Sequence, residues 1–336
     1  MGRLSRDKRD VFYRLAKEKG YRARSAFKLL QIDAEFDLFT HHTINRTSQV
    51  TTASAKVTRA VDLCAAPGSW SQVLADKLLD DVQKEQKTTI INEKDSTVSD
   101  SIEKIVAVDL QPMAPIEGVR CLQGDITSLE TAQQIIQHFQ GQRAELVICD
   151  GAPDVTGLHD VDEYLQGQLL LAAMLITTHV LIEGGTFVAK IFRGRNVGFL
   201  YAQLRLLFDR VSVAKPSSSR NSSMESFVVC QNFKGAPYMN LPLDVGGYLD
   251  LRETIGEVAP AEPGKEPDDS TMLHPSMVPF LACGDLSEWS PSGEILDSDK
   301  SYPIQDSFIP PVAPPIEPPY QSSIARQKEE RSNKKC

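Results

Sequence analysis

The chain predicts an α/β fold, a mostly parallel sheet wrapped by helices, on two observations. Short apolar runs rich in β-branched residues alternate with helix-length segments from residue 59 to residue 233, the pattern of repeated strand and helix units. Two of those runs, 144–150 and 184–190, end on the charged residues Asp150 and Lys190. In a doubly wound sheet, ligands bind outside the carboxyl ends of the parallel strands. Asp150 and Lys190 are therefore expected to converge on one crevice.

In chain order, residues 9–36 are expected to form one or two helices in front of the sheet. Strands are expected near 59–64, 104–109, 119–125, 144–150, 184–192, 211–215 and 227–233, with helices at 69–80, 128–139, 162–182 and 197–208. That count suits a seven-stranded sheet. Two stretches read as surface-loop insertions: 40–58, rich in Thr, Ser and His, and 81–101, rich in Lys, Asp, Glu, Ser and Thr. The pattern ends after Lys234, because residues 241–320 hold 14 of the 20 prolines, and fifteen acidic residues against three basic ones. A folded domain over 1–234 and a proline-rich acidic extension over 235–336 are expected. Met277, Phe280, Leu281, Trp289, Tyr302 and Tyr320 would let parts of that extension lie on a folded surface in extended form, while the stretch before Ser276 reads as disordered.

Charge is distributed unevenly. The formal net charge is −9, yet residues 1–28 carry ten Lys or Arg against three Asp or Glu, a net of +7. The front end is thus the part suited to a polyanion, unless its charges form only a solvated helix face. The cysteines at 64, 121, 149, 230, 283 and 336 form no C-x-x-C pair and stand apart from histidines at zinc spacing, which argues against a metal site or a disulfide framework. The start lacks an apolar signal core, and the longest apolar run, 169–176, is far too short for a bilayer. A cytoplasmic protein with no membrane partner is expected.

The segment Val61-Asp62-Leu63-Cys64-Ala65-Ala66-Pro67-Gly68-Ser69-Trp70 leaves a strand through small residues and enters a helix. Small residues there let a ligand approach the backbone. The glycines of a dinucleotide fingerprint and the Gly-Lys pair of a phosphate loop are both missing. What remains is an acidic rim: Asp62, then Asp109 and Asp125 at the next two strand ends. Such a rim repels phosphates and suits a cofactor with a cationic centre, ribose hydroxyls and an adenine amine, as in S-adenosylmethionine. The alternative is a packing turn with three strand-end caps.

Gly20-Tyr21-Arg22-Ala23-Arg24-Ser25-Ala26-Phe27-Lys28, the 62–70 turn, Asp109-Leu110-Gln111-Pro112, Gln123-Gly124-Asp125, Asp150-Gly151-Ala152-Pro153-Asp154 and Lys190-Ile191-Phe192 together resemble the FtsJ family of ribose 2'-O-methyltransferases. The resemblance runs over about 3–233, apart from the two insertions. Pro279-Phe280-Leu281-Ala282-Cys283-Gly284-Asp285-Leu286, with the motifs at 297–303 and 318–321, is similar to the eukaryotic members that act on the tRNA anticodon loop. The resemblance implies a Rossmann-like class I methyltransferase fold with one antiparallel strand and S-adenosyl-L-methionine as cofactor. It also implies a Lys-Asp-Lys-Glu tetrad at Lys28, Asp150, Lys190 and Glu225. Gly68, Trp70, Asp109, Asp125 and Asp150 would contact the cofactor, while Arg22, Arg24, Arg193, Arg195 and Arg220 would contact RNA phosphates. tRNA is the implied substrate, methylated at nucleotides 32 and 34, with accessory protein subunits selecting the nucleotide. Relatives often carry Arg where this chain has Ser217, which removes one candidate phosphate contact.

Lys190 is the candidate proton acceptor. Burial and the neighbouring Lys28 ammonium would push its pKa down, and Asp150 and Glu225 would pull it up.

Overall fold

The computed structural model describes residues 10–45, 50–89, 103–153, 157–194, 197–235, 239, 278–284 and 312. Two helices stand in front, α1 (Val11–Lys19) and α2 (Ala26–Phe36). Asp10 caps α1, its Oδ1 accepting from the Tyr13 N–H at 3.1 Å. Gly20 ends that helix at φ 82°, a left-handed turn that a side chain would strain.

Next come β1 (Thr40–Asn45), β2 (Val50–Lys56), β3 (Ala60–Leu63), α3 (Ser69–Thr89), β4 (Ile105–Asp109), β5 (Val119–Gln123), α4 (Leu129–His138) and β6 (Ala144–Cys149). The sheet continues with α5 (His159–Val180), β7 (Leu181–Phe192), α6 (Val197–Leu207), β8 (Phe208–Pro216) and β9 (Glu225–Phe233), and β10 (Phe280–Cys283) follows from the extension. The main sheet has the order β10-β8-β9-β7-β6-β3-β4-β5. Strand β9 is antiparallel to both its neighbours, and the other pairings in this sheet are parallel. The chain turns outward in opposite directions from β3, to β4 on one side and β6 on the other. That switch opens a crevice at the carboxyl ends of β3 and β6.

Period-two alternation divides the strands between two cores. Val61, Leu63, Val106, Val108, Val147 and Cys149 pack with helices α4, α5 and α6 on one face. Their neighbours Ala60, Ile105, Ala107, Leu146 and Ile148 pack with α2 and α3 on the other. Strands covered on both sides read as unbroken apolar runs, which is why they are legible in sequence.

Three stretches differ from the expectation. The 40–58 insertion contains an antiparallel hairpin of β1 and β2, with Thr40 opposite Lys56 and Asn45 opposite Val50. Its β-branched threonines and valine favour strand without the apolar alternation that marks a buried one. The 81–101 insertion is helical as far as Thr89, since α3 runs on through Lys, Glu and Gln, good helix formers; residues 90–101 lie outside the described residues. The sheet has an eighth strand, because β10 pairs with β8 in parallel, Phe280 opposite Val213 and Cys283 opposite Pro216. Val213 donates to the Pro279 carbonyl and Ser217 to the Cys283 carbonyl, each at 2.8 Å. Cys283 is buried in the α2/α3 core. Met277, Trp289, Tyr302 and Tyr320 lie outside the described residues. No helix among the described residues is long and apolar enough to cross a membrane.

Ending the chain after Lys234 would uncover the β8 edge and the seat of Cys283. With a few ladder bonds of about 1 kcal/mol each at stake, melting is expected to fall by about 3–10 °C. Scanning calorimetry of the two chain lengths checks this, and an unchanged melting temperature would show that the strand contributes nothing.

Candidate active site

Strand register brings the four tetrad candidates together. Cys149 of β6 pairs with Ala189 of β7, so Asp150 and Lys190, one residue further on each, stand side by side. On the next strand, Glu225 pairs with Phe192 and Phe227 with Lys190, so Lys190, Glu225 and Phe227 project from one face of the sheet. That is the face covered by α2 and α3, and α2 delivers Lys28 to it.

The charges form a chain. Lys28 Nζ lies 2.8 Å from Glu225 Oε1, Lys190 Nζ lies 3.8 Å from Glu225 Oε2, and Lys190 Nζ lies 3.3 Å from Asp150 Oδ1. Lys28 also sits over the Phe227 ring, 5.7 Å from its centroid. Ser219 Oγ donates to Glu225 Oε1 at 2.7 Å. Burial tends to raise the Glu225 pKa, but the two ammonium groups and Ser219 outweigh it and hold the carboxyl at about 2. Burial pulls Lys190 down, yet Asp150 and Glu225 more than compensate, and its pKa lies above the ordinary value. Lys190 is therefore a cation at neutral pH in the free protein.

Asp150 also lines a crevice of about 1200 Å3 at the β3/β6 switch, together with Cys64, Pro67, Asp109, Gln111 and Thr127. Single small-ligand sites usually enclose about 300–1,000 Å3, so this one has room for a cofactor and the end of a second substrate. Asp109 braces the crevice wall: Oδ2 accepts from Ala66 N–H at 2.9 Å and Oδ1 from Gln111 N–H at 2.8 Å. A carboxylate oxygen has a second lone pair, so both can still accept from ribose hydroxyls. Leu110, two-thirds exposed, offers a flat apolar rim next to it. Behind the turn, Asp62 is buried; Ser71 Oγ donates to its Oδ2 at 2.5 Å, while Oδ1 has no hydrogen-bond partner among the described residues. Burial pushes its pKa up to about 7. A Cβ on Gly151 would come within 2.9 Å of the Cys64 sulfur, so the floor admits no side chain there. Carboxylates, a flat apolar rim and close backbone approach fit S-adenosylmethionine.

The other expected contacts are placed differently. Trp70 is buried in the α2/α3 core and its Nε1 donates to the Ser25 carbonyl at 2.8 Å, tying α3 to the front segment. Asp125 is exposed beside the crevice margin, its Oδ1 accepting from Thr127 N–H at 2.9 Å and Oγ1 at 2.7 Å, and Thr127 lines the crevice. Gly68 faces Arg22. Among the candidate phosphate contacts, Arg24 pairs with Asp10 and donates to the Ser218 carbonyl at 2.5 Å, and Arg220 lies 3.4 Å from the same Asp10. Arg193 packs 5.4 Å from the Phe280 ring centroid. Arg22 directs its guanidinium at backbone carbonyls. Arg195 and Asp154 lie outside the described residues. Ser217 accepts from Gln31 Nε2 at 3.0 Å.

Sequence reasoning missed Asp10, Gln31 and Ser219. Each acts on a partner that no local pattern announces; Gln31, for example, also accepts from Ser218 N–H, 187 positions away.

A carboxylate held below its ordinary value stabilises the fold above the unfolded-state pKa of 4.5, and that contribution is lost as pH falls through about 2. Glu225→Gln should therefore cost about 3–5 kcal/mol at neutral pH, the range for removing one partner of a buried pair, and the gap to the parent should narrow on going down to pH ~3. Urea unfolding at both values checks this; a gap of constant size would remove the ion pairs as its cause.

A model of the FtsJ-like methyltransferase family matches residues 21–233. The tRNA (cytidine(32)/guanosine(34)-2'-O)-methyltransferase of Homo sapiens is 50% identical over 331 residues, 96% of this chain and 84% of that protein. The protein of the same name from Schizosaccharomyces pombe is 48% identical over 328 residues, 96% of this chain and 97% of its own length. An AdoMet-dependent rRNA methyltransferase of Pyricularia oryzae is 38% identical over 257 residues, 76% of this chain and 25% of its own length. With a family match spanning the sheet from the front segment to β9, and relatives this similar along nearly their whole length, the chain belongs to the FtsJ-like methyltransferase family.

Proposed function

We propose that this chain is a cytoplasmic, S-adenosylmethionine-dependent tRNA ribose 2'-O-methyltransferase that acts on the anticodon loop at nucleotides 32 and 34. The observation that carries the chemistry is the continuous charge chain Lys28–Glu225–Lys190–Asp150 at the end of a roomy crevice whose wall also carries Asp109. The substrate follows from the names of the human and fission-yeast relatives, which align with almost all of this chain, tail included. An rRNA substrate is less favoured, because the rRNA-modifying relative matches at lower identity and through only a quarter of its length. A catalytically idle scaffold would have no need of all four charged groups in contact.

When bound, S-adenosylmethionine supplies a methyl group activated by a sulfonium. The chain's own residues must orient the ribose hydroxyl and take its proton as the oxygen reacts. Lys190 is the acceptor in this reading. It is protonated in the free protein, so the amine must lose its proton in the substrate complex. Exclusion of water by the RNA deepens the burial that lowers the Lys190 pKa, and Lys28 nearby opposes a second fixed cation. Glu225 and Asp150 orient the two lysines. Asp109 would hold the cofactor ribose and Asp125, beside Thr127, the adenine amine, while Gly68 keeps the turn clear and Trp70 anchors it from the core. Arg193, Arg195 and Arg220 would meet phosphates, contacts that position RNA without reading sequence.

In this reading residues 1–234 are the methyltransferase unit, with residues 235–336 an extension that contributes β10 and offers acidic, proline-rich chain to accessory subunits. Those subunits select the nucleotide, since a single small crevice has little surface with which to recognise a whole tRNA.

Lys190→Ala is expected to bind S-adenosylmethionine with unchanged affinity and to lose methyl transfer by at least about 100-fold, the lower end for a general base. In the parent, the single-turnover rate should climb with pH through the neutral range, because most of the amine begins protonated. Mapping ribose methylation on purified tRNA reads both; methylation at near-normal rate by the variant would remove Lys190 from the chemistry, and transfer to rRNA alone would replace the substrate. Asp125→Ala should weaken cofactor binding by about 1 kcal/mol, the net contribution of one hydrogen bond to the adenine amine at an exposed carboxylate. An unchanged dissociation constant by calorimetry would exclude that contribution.

A further inference from the structure

We infer that Arg22 is a positioning residue for the cofactor crevice, a bracket that fixes two of its loops to the front segment. Its guanidinium spans the crevice margin. Nη1 donates to the Pro67 carbonyl and to the Ala114 carbonyl, and Nη2 donates to the Pro115 carbonyl, each at 2.9 Å. Pro67 belongs to the turn between β3 and α3; Ala114 and Pro115 belong to the loop between β4 and β5. Pro67, Ala114 and Arg22 itself all line the crevice.

The bracket has a fixed base. Arg22 N–H donates to Gln72 Oε1 at 2.8 Å, and Gln72 Nε2 donates to the Gly20 carbonyl at 3.1 Å. Tyr21 Oη donates to Asp76 at 3.0 Å. Gln72 and Asp76 of α3 thus hold the segment from Gly20 to Arg22, so the base of the arginine is fixed relative to the helix that leaves the crevice floor. Clearance is provided by Gly68, where a Cβ would lie 2.8 Å from Arg22 Nη1 and at φ 102° would be strained as well.

Why an arginine is needed follows from the loop it holds. Residues 111–118 read Gln-Pro-Met-Ala-Pro-Ile-Glu-Gly, and the prolines at 112 and 115 have no N–H with which to knit the loop to itself. Carbonyls there need an outside donor. A planar fork with five N–H groups can serve three carbonyls in one plane; a lysine ammonium, a point charge on a flexible stem, cannot hold the same geometry. Arg22 therefore affects methyl transfer through the shape of the cofactor site, with its charge directed into the protein instead of toward a phosphate.

The inference rests on the reading of this crevice as the S-adenosylmethionine site, and the test separates the two. Arg22→Ala and Arg22→Lys in the full chain should each raise both the Kd and the KM for S-adenosylmethionine by about tenfold or more, the effect of about one lost hydrogen bond's worth of loop order. At saturating cofactor, kcat should stay within about twofold, and the salt dependence of tRNA binding should be unchanged. In the ligand-free proteins, amide hydrogen exchange over 111–118 should quicken in both variants. Cofactor affinity within twofold of the parent, or a tRNA salt slope reduced by about one in Arg22→Ala and restored in Arg22→Lys, would overturn the bracket and make Arg22 a phosphate contact. Failure of the parent itself to bind S-adenosylmethionine would reject the cofactor reading, and unchanged exchange over 111–118 would then reject the bracket independently.

Discussion

Two ammonium groups cannot share a partly buried mouth unless carboxylates stand between them. Lys28 and Lys190 do so because Glu225 lies between them and Asp150 flanks the second. Every element that reaches the mouth is positioned by that requirement. Strand β9 must run antiparallel to β7 for Glu225 to begin beside Lys190, α2 must lie across the sheet face to deliver Lys28, and Ser219 must hold one oxygen of Glu225 from behind. The carboxylates also keep Lys190 charged. The same groups that make the cluster stable in the free protein thus oppose its use as a base, so the substrate complex must tip the balance.

The front segment links this cluster to the cofactor crevice. Asp10 caps α1 with one oxygen and holds Arg24 and Arg220 with the other, while Trp70 and Gln72 of α3 grasp residues 20–25. Arg24, Lys28 and Arg22 of the basic front end thus direct their charge at internal partners. The positive charge remains, but its direction is set by internal partners, and net charge alone does not reveal that.

Asp150 is legible in the sequence because it follows directly on a strand buried on both faces, and Lys190 because its charge breaks into the apolar run of β7 two residues before that strand ends. The 62–70 turn is legible because small residues crowd together between a strand and a helix. Glu225 and Lys28 have no such local signature and depend on the family resemblance. The hairpin at 40–56 is hidden because its threonines are polar and its pairing is local to a stretch that lacks apolar alternation. Phe280 and Leu281 mark the extension as able to lie extended on a folded surface, but their pairing as a strand is hidden for a different reason: it is decided by the free edge of β8, an edge distant in sequence. Gln31 and Arg22 are decided by tertiary partners in the same way, and polar contacts over long separations leave no period to detect.

The eighth strand has a consequence for biosynthesis. Strands β3 to β9 leave the ribosome before residue 280 does, so for some 47 residues of further translation after Phe233 the sheet exists with β8 exposed along its outer side. An unpaired edge is a template for other chains, and the nascent domain is vulnerable until its own tail arrives to cover it.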